Sequence, residues 1–423
     1  MSKISAPKGT RDILPPETAA WQHAEKVFAD VCSRYGYQEI RIPTFEQTEL
    51  FQRGVGDTTD VVQKEMYTFD DKGGRSMTLR PEGTAGVVRS YLENGMASLP
   101  SPVRLFYNIT AFRYEKMQKG RYREFHQFGC EVFGSEGPIV DAELVSLLDL
   151  YFRELGLKET SLRINSIGCP VCRAEYNQKL KDYLAPHLDA LCETCQSRYD
   201  RNPLRIIDCK ETSCKPIVRE APALLDNLCP ECQTHFDGFC KHLEELEINY
   251  TIDKGIVRGL DYYTRTVFEF VSEHVGTQGT ICGGGRYDGL VEQVGGQPTP
   301  GIGFALGVER LLMELEQQQA AMPGPARPSI YIAALGDAGD QARKWTWKLR
   351  SLGIRAETDL MGRSLKAQMK YAGKQSFRFS TVIGDDEITA GKIRLKDMNE
   401  HSESEVSFEQ AEALLADHQK QQG

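Results

Sequence analysis

Apolar positions along the chain change period several times, and each change marks an element. Over WQHAEKVFADVCSRYG (21–36) they recur at helical spacing and stop at Gly36. YQEIRIPTFEQ (37–47) alternates like a strand, with Pro43 placing it at a sheet edge. VRLFYNITAFRYE (103–115) and YREFHQFGCEVF (122–133) read as two strands of a long hairpin joined by the polar loop KMQKG. A helix follows from about Asp141 to Leu155. Strand and glycine signals return over 256–307, and GIGFALGVERLLMELEQQQ reads as a short strand running into an amphipathic helix. QQQAAMPGPARP (317–328) has the composition of a linker. Beyond it, SIYIAAL, a helix 340–352, IRAET, a helix 364–374, STVIGD, KIRLKDM and a helix 407–418 spell a small α/β domain over 329–423. Between 168 and 250 the pattern breaks into short helical pieces punctuated by prolines, as in a module inserted into the larger body 1–325. The expected class is therefore a multidomain α+β and α/β protein.

Composition narrows the options. A chain of 423 residues is too long for one core. No apolar run is long enough to cross a membrane. The start, MSKISAPKGTRDILPPE, has no hydrophobic signal core, so a cytoplasmic protein is expected. With 51 basic and 60 acidic residues the net charge is −9, which argues against indiscriminate coating of nucleic acid but leaves room for local basic patches. Nine of the 12 cysteines fall between Cys169 and Cys240, a clustering that points to metal before disulfides in a reducing compartment.

The hairpin carries the most chemistry. Residues two apart share a strand face, so Arg123, Phe125, Gln127, Gly129, Glu131 and Phe133 point one way. Gln127 and Glu131 then form a polar floor, with Gly129 leaving room between them. Strand neighbours lie about 5 Å apart, which lets Arg113 sit near that floor. A solvated face with cross-strand ion pairs would give the same pattern. The loop brings Lys116, Lys119, Arg121 and Arg123, cations suited to phosphates or an RNA end and equally normal in a solvated loop.

FRYEKMQKGRYREFHQ resembles motif 2 of class II aminoacyl-tRNA synthetases, in the form carried by histidyl-tRNA synthetases. VRGLDYYTRTVFEF (257–270) and GGGRYDGL (283–290) resemble the two histidine-specific signatures of that family. GIGFALGVERL (301–311) is similar to motif 3, RIPTFE (41–46) to motif 1, and KGTRDILP is typical of the start. The resemblance spans nearly the whole chain in the expected order. It implies an antiparallel catalytic sheet flanked by helices, a helical insertion, and a C-terminal α/β anticodon-binding domain. It also implies activation of L-histidine by ATP, transfer to tRNA(His), Mg²⁺ accompanying ATP, and a homodimer through motif 1 around Pro43.

Activation joins two anions, so cations must hold them and stabilise the transition state. Arg suits this because its fork meets carboxylate and phosphate bidentately. By resemblance, Arg113 holds the α-phosphate and carboxylate, Arg310 reaches the γ-phosphate, and Arg258 approaches the α-phosphate from the opposite side. Arg121 joins Arg113 and Arg310 on ATP, and Glu115 is a contact for Mg²⁺. Glu131 and Tyr263 address the two ring nitrogens of histidine, and Tyr262 and Tyr287 wall the pocket. Glu82, Gly83, Thr84 and Gln127 surround the α-amino group. The glycines of GGGRYDGL do not match a phosphate-binding loop and read as positions of close backbone approach. Lys119 and Arg123 are expected at the tRNA end.

Two regions remain. Cys169-x-x-Cys172 and Cys192-x-x-Cys195 are spaced much like structural zinc ligands; Cys229-x-x-Cys232 is a third pair, and Cys209 with Cys214 a looser fourth. Reduced cysteines packed as small apolar residues would look the same. By resemblance this insertion lies over the tRNA acceptor stem. In the last domain, 343–378 holds ten Lys/Arg against two acidic residues, and Lys366, Lys370 and Lys374 share one helix face. In an anticodon-binding domain that face contacts phosphates; a solvated helix is the plain alternative. Two rival functions share parts of the pattern. One is a class II synthetase for another amino acid, opposed by the tyrosine-bearing signatures. The other is a synthetase-like regulatory subunit of ATP phosphoribosyltransferase, opposed by Arg113, Arg258, Arg310 and the C-terminal domain.

Overall fold

Two-residue alternation in the hairpin produces two ten-residue strands, Val103–Phe112 and Glu124–Phe133, paired antiparallel in the computed structural model. The structure describes residues 3–56, 59–272, 279–324 and 328–421. Strand order in the eight-stranded sheet built on this hairpin is Gln38–Glu39, Val103–Phe112, Glu124–Phe133, Gly301–Gly307, Thr280–Arg286, Thr264–Val271, Ser161–Ser166, Tyr250–Ile252. The six central strands are antiparallel, and only the outermost strand at each edge runs parallel to its neighbour.

One sheet face is covered by helices. Phe128, Cys130 and Val132 of the hairpin pack in one core with Phe28 of helix Thr18–Arg34, Leu144 and Leu148 of helix Pro138–Glu154, and Leu311 of helix Val308–Gln317. Phe28 stacks on Phe128 at 4.8 Å between ring centroids. The opposite face, which carries Gln127, Gly129 and Glu131, has a second core, in which Leu105, Tyr107 and Phe133 pack with Val87 and Tyr91 of helix Thr84–Glu93, and the site adjoins it.

Two features differ from the sequence reading. The segment 37–47 is not one strand: Gln38–Glu39 edges the large sheet, while Phe45–Gln47 joins a separate sheet with Thr68–Asp70 and Ser76–Leu79. Pro43, which lacks an N–H for a ladder, sits in the break. The cysteine-rich segment is helical, but its last helix, Pro230–Glu245, packs Phe236, Phe239 and Leu243 into the core of the sheet. The linker segment lies partly outside the described residues; its first residue, Gln317, ends a helix.

Contacts divide the chain into two units, Met1–Pro323 and Gly324–Gly423. The second has five strands in the order Ala356–Thr358, Ile330–Ala334, Phe379–Ile383, Lys392–Asp397, Ser402–Ser407, the first three parallel and the rest antiparallel. The last strand, SESEVS, has no apolar alternation to announce it. Cross-strand ion pairs Lys392–Glu405 (2.9 Å) and Lys396–Glu403 (3.6 Å) accompany its pairing instead.

Candidate active site

Register on the hairpin sets Tyr107 opposite Gly129, Leu105 opposite Glu131 and Ile109 opposite Gln127. The space above Gly129 is not left for a ligand. A Cβ there would overlap the ring of Tyr107, and so would one on Gly83. The phenol fills the notch between these two glycines and donates its hydroxyl to Glu131 at 3.1 Å. Thr84 donates to the same carboxyl at 2.8 Å and Tyr287 at 2.5 Å. Glu131 is fully buried, and burial pushes its pKa up to about 8 despite these donors.

Glu82 lies in the turn before helix Thr84–Glu93, which Thr84 opens. The Glu82 carboxylate accepts the backbone N–H groups of Thr84 (2.7 Å) and Ala85 (2.8 Å), free donors of the first helical turn. Burial raises its pKa, opposed by those two N–H groups. Gln127 is buried beside them, and its Oε1 has no hydrogen-bond partner among the described residues. A buried acceptor without a donor suits a ligand N–H or ammonium.

Gln127 also lines a cavity of about 160 Å³ walled by Arg113, Arg121, Arg258, Arg310 and Gly283. The three arginines expected to be catalytic come from separate segments and meet here. Arg113 donates through Nε to the carbonyl of Pro81 at 2.7 Å and lies over the Phe125 ring. Arg310 donates to the carbonyl of Thr280 at 2.6 Å; burial, and then the nearby Arg121 charge, lower its pKa. Arg258 forms an ion pair with Glu269. Burial, the largest influence, opposes its charge, but Glu269 and Tyr263 together outweigh it and the pKa is raised. A Cβ on Gly283 would overlap the Arg258 guanidinium, so this glycine of GGGRYDGL makes room for a side chain of the site. Glu115 pairs with Arg121 at 3.2 Å on the same wall.

Tyr262, Tyr263 and Tyr287 are buried and mutually packed, with ring centroids 4.7 Å apart for Tyr262–Tyr263 and 5.7 Å for Tyr262–Tyr287. Tyr263 also faces Arg258, whose guanidinium carbon is 5.8 Å from the ring centroid. Lys119 is exposed and lines a different hollow, with Arg11 and Met313. Arg123 is less open than a solvated loop cation, because its guanidinium sits over Tyr114 at 3.6 Å and its stem packs on Gly9. In the second unit, Lys366 and Lys370 are exposed on helix Leu365–Lys374.

Sequence reasoning missed Tyr107, Glu269 and Arg286. Tyr107 follows from hairpin register once Gly129 is placed opposite it. Arg286 of the second glycine-rich signature is fully buried and serves as a brace: it pairs with Asp141 at 2.7 Å and donates to the carbonyls of Ser135 and Gly137. Asp141 also meets His235 at 2.8 Å. Burial would raise the Asp141 pKa, but Arg286 and His235 outweigh it and lower it.

The cysteines gather differently from their order in the chain. Cys169 and Cys172 meet Cys229 and Cys232, while Cys192 and Cys195 meet Cys209 and Cys214; within each group the sulfurs all lie within 4.8 Å of one another. Cys169-x-x-Cys172 and Cys192-x-x-Cys195, whose spacing suggests a shared metal, are kept apart by helix Pro170–Leu184, whose 15 residues span roughly 22 Å at 1.5 Å per residue.

Comparison with known proteins bears on the whole chain. A family model described as histidyl-tRNA synthetase matches residues 9–311, and one described as anticodon binding domain matches 329–418. A histidine–tRNA ligase of Acetivibrio thermocellus is 65% identical over 405 residues, covering 96% of this chain and 97% of that protein. One of Caldicellulosiruptor saccharolyticus is 55% identical over 408 residues, covering 96% and 97%. Among solved structures, an apo histidyl-tRNA synthetase of S. aureus superposes with a TM-score of 0.84 at 39% identity, covering 98% of this chain and 100% of that one.

Proposed function

Because the chain belongs to the histidyl-tRNA synthetase family, we infer that it forms histidyl-adenylate from L-histidine and ATP, releases pyrophosphate, and passes the histidine to the 3′ end of tRNA(His). The observation that carries this reading is the meeting of Arg113, Arg258 and Arg310 on one cavity beside the buried Glu131 and its tyrosines.

Arg113 grips both anions, the histidine carboxylate and the α-phosphate, so that the carboxylate oxygen faces the α-phosphorus. Arg258 stabilises the charge that grows on the α-phosphate oxygens as the bond to pyrophosphate breaks. Arg310 and Arg121 hold the departing phosphates. Glu131 and Tyr263 address the ring nitrogens, and Tyr262 and Tyr287 exclude water around the ring. Gln127 Oε1 takes the α-ammonium with Glu82 and Thr84, while Gly83 makes space for Tyr107. A pocket polar at both ring nitrogens rejects apolar amino acids, whose binding would leave its buried groups unpaired.

Mg²⁺, held chiefly by the ATP phosphates, supplies charge neutralisation, and the Glu115 carboxylate is a hard oxygen donor suited to it. Zinc belongs to the insert rather than to the chemistry. The catalytic domain is 1–325 with its insertion 168–250, followed by the linker 317–328 and the anticodon-binding domain 329–423. Lys119 and Arg123 meet the acceptor end of the tRNA; Lys366 and Lys370 contact its phosphates at the anticodon end. The protein works in the cytoplasm as a homodimer through the motif around Pro43. No described helix is long and apolar enough to cross a membrane.

The test is exchange of pyrophosphate into ATP across a panel of amino acids. Exchange only with histidine is expected; exchange driven by another amino acid overturns the assignment. A monomer by light scattering overturns the dimer.

A further inference from the structure

The two cysteine groups of the insert lie outside everything the reaction uses. In the first, Cys169 and Cys229 each stand at the N-cap of a helix, with Cys172 and Cys232 one turn on. Both pairs have the sequence Cys-Pro-x-Cys, and proline at the first helical position fixes the turn that aims both sulfurs one way. In the second, Cys192 caps helix Glu193–Arg201, Cys195 lies in its first turn, and Cys209 and Cys214 close on them.

We propose that each group is a structural zinc site, so that the insert holds two Zn(Cys)₄ centres: Cys169/Cys172/Cys229/Cys232 and Cys192/Cys195/Cys209/Cys214. Zinc–sulfur bonds of about 2.3 Å in a tetrahedron set the sulfurs ~3.8 Å apart. The separations are 3.7 Å for Cys169–Cys172, 3.9 Å for Cys169–Cys229 and 3.9 Å for Cys192–Cys209. A close pair alone proves little, since Cys32 and Cys130 meet at 3.6 Å in the sheet core; four mutually adjacent sulfurs, found twice, are what that pair lacks. Each group also receives a backbone N–H from one pair onto a sulfur of the other: Cys229 to Cys172 at 3.1 Å and Cys192 to Cys214 at 3.2 Å. Such bonds support sulfur charge around a cation. Two cysteines of each group are buried and two half-buried. Tetrathiolate sets select zinc among common divalent ions.

The sites answer a structural need. The insert already buries Tyr176, Leu180, Leu184 and Ile206 against the catalytic body, but its short helices are joined by long irregular stretches, and metals commonly staple such segments. The first site ties the beginning of the insert to a point 57 residues later. From these stapled turns, Arg173 donates to the carbonyl of Tyr263 at 3.2 Å, and Arg205 donates to the carbonyl of Arg258.

Metal analysis of the purified full-length protein, prepared under reducing conditions without chelator, tests this directly. Two zinc ions per chain are expected; none, one, or iron in their place overturns the proposal. Double variants test the pairing. Cys169→Ser with Cys229→Ser is expected to cost one zinc, and Cys169→Ser with Cys192→Ser both. The reverse pattern overturns the pairing and restores the one expected from sequence spacing. Should these variants fail to fold, titrating the wild-type protein with a mercurial thiol reagent beside a zinc-sensing dye replaces them. Release of two zinc ions over eight thiols is expected, and modification of those thiols without zinc release overturns the sites. Neither readout depends on synthetase activity.

Discussion

At the Glu131 end of the site three hydroxyl groups converge on one carboxyl; at the other end, guanidinium groups are anchored by the backbone carbonyls of Pro81 and Thr280. The first region is closed and held by short hydrogen bonds between uncharged donors and a carboxyl whose pKa burial lifts to about 8. The second gathers four arginines, with Arg258 paired to Glu269 and Arg121 to Glu115. On the proposed roles, specificity and rate fall to different kinds of interaction, because a selective pocket must lose hydrogen bonds when the wrong ligand binds, whereas acceleration needs charge aimed at the transition state. Mutations at the two ends should then separate KM from kcat.

The largest effect is expected for Arg258→Ala: a fall in kcat for pyrophosphate exchange of about 10²–10³-fold, with the histidine Kd little changed. Equal losses in both would erase the distinction between the two ends. Gly283→Ala comes next. Its methyl group displaces the Arg258 guanidinium, and a roughly tenfold drop in kcat is expected, about 1.4 kcal/mol of barrier, with the histidine KM preserved. Tyr107→Phe probes the closed end: losing one donor to Glu131 should cost about 1 kcal/mol, seen as a several-fold rise in histidine KM at nearly constant kcat.

The pH dependence of stability sharpens the contrast further. Glu131 has a raised pKa in the folded protein, so its contribution is full below the ordinary carboxyl value near 4.5 and is lost as pH rises through about 8. Against Glu131→Gln, the wild type should therefore lose stability steadily over that window in urea titrations and level off above it. A flat difference would mean that Glu131 is ionised throughout. The smallest effect is expected outside both ends: Lys366→Ala with Lys370→Ala should raise the KM for tRNA a few-fold and leave pyrophosphate exchange intact.

The hairpin was legible because period-two alternation dictates which side chains share a face, and Gln127 and Glu131 do share it. The convergence of Arg113, Arg258 and Arg310 was legible only through resemblance, since nothing local ties residues so distant in the chain to one cavity. Glu269 escaped notice because one acid in an apolar strand reads as a solvated position. Pairing among the cysteines was not legible either: spacing tells which sulfurs sit on one turn, not which turns meet. The strand Ser402–Ser407 has a single apolar residue, Val406, so no hydrophobic period marks it.

Tyr107 fills the notch between Gly83 and Gly129, and this dovetail makes the depth of the pocket adjustable from behind. Tyr107→Ala would leave a phenol-sized hollow under the Glu131 carboxyl, the group proposed to meet the imidazole. Two glycines would then line a chamber open to chemical complementation by small phenols. A synthetase whose histidine affinity rises with added phenol would be a tunable enzyme, retuned without altering any group assigned to the substrate.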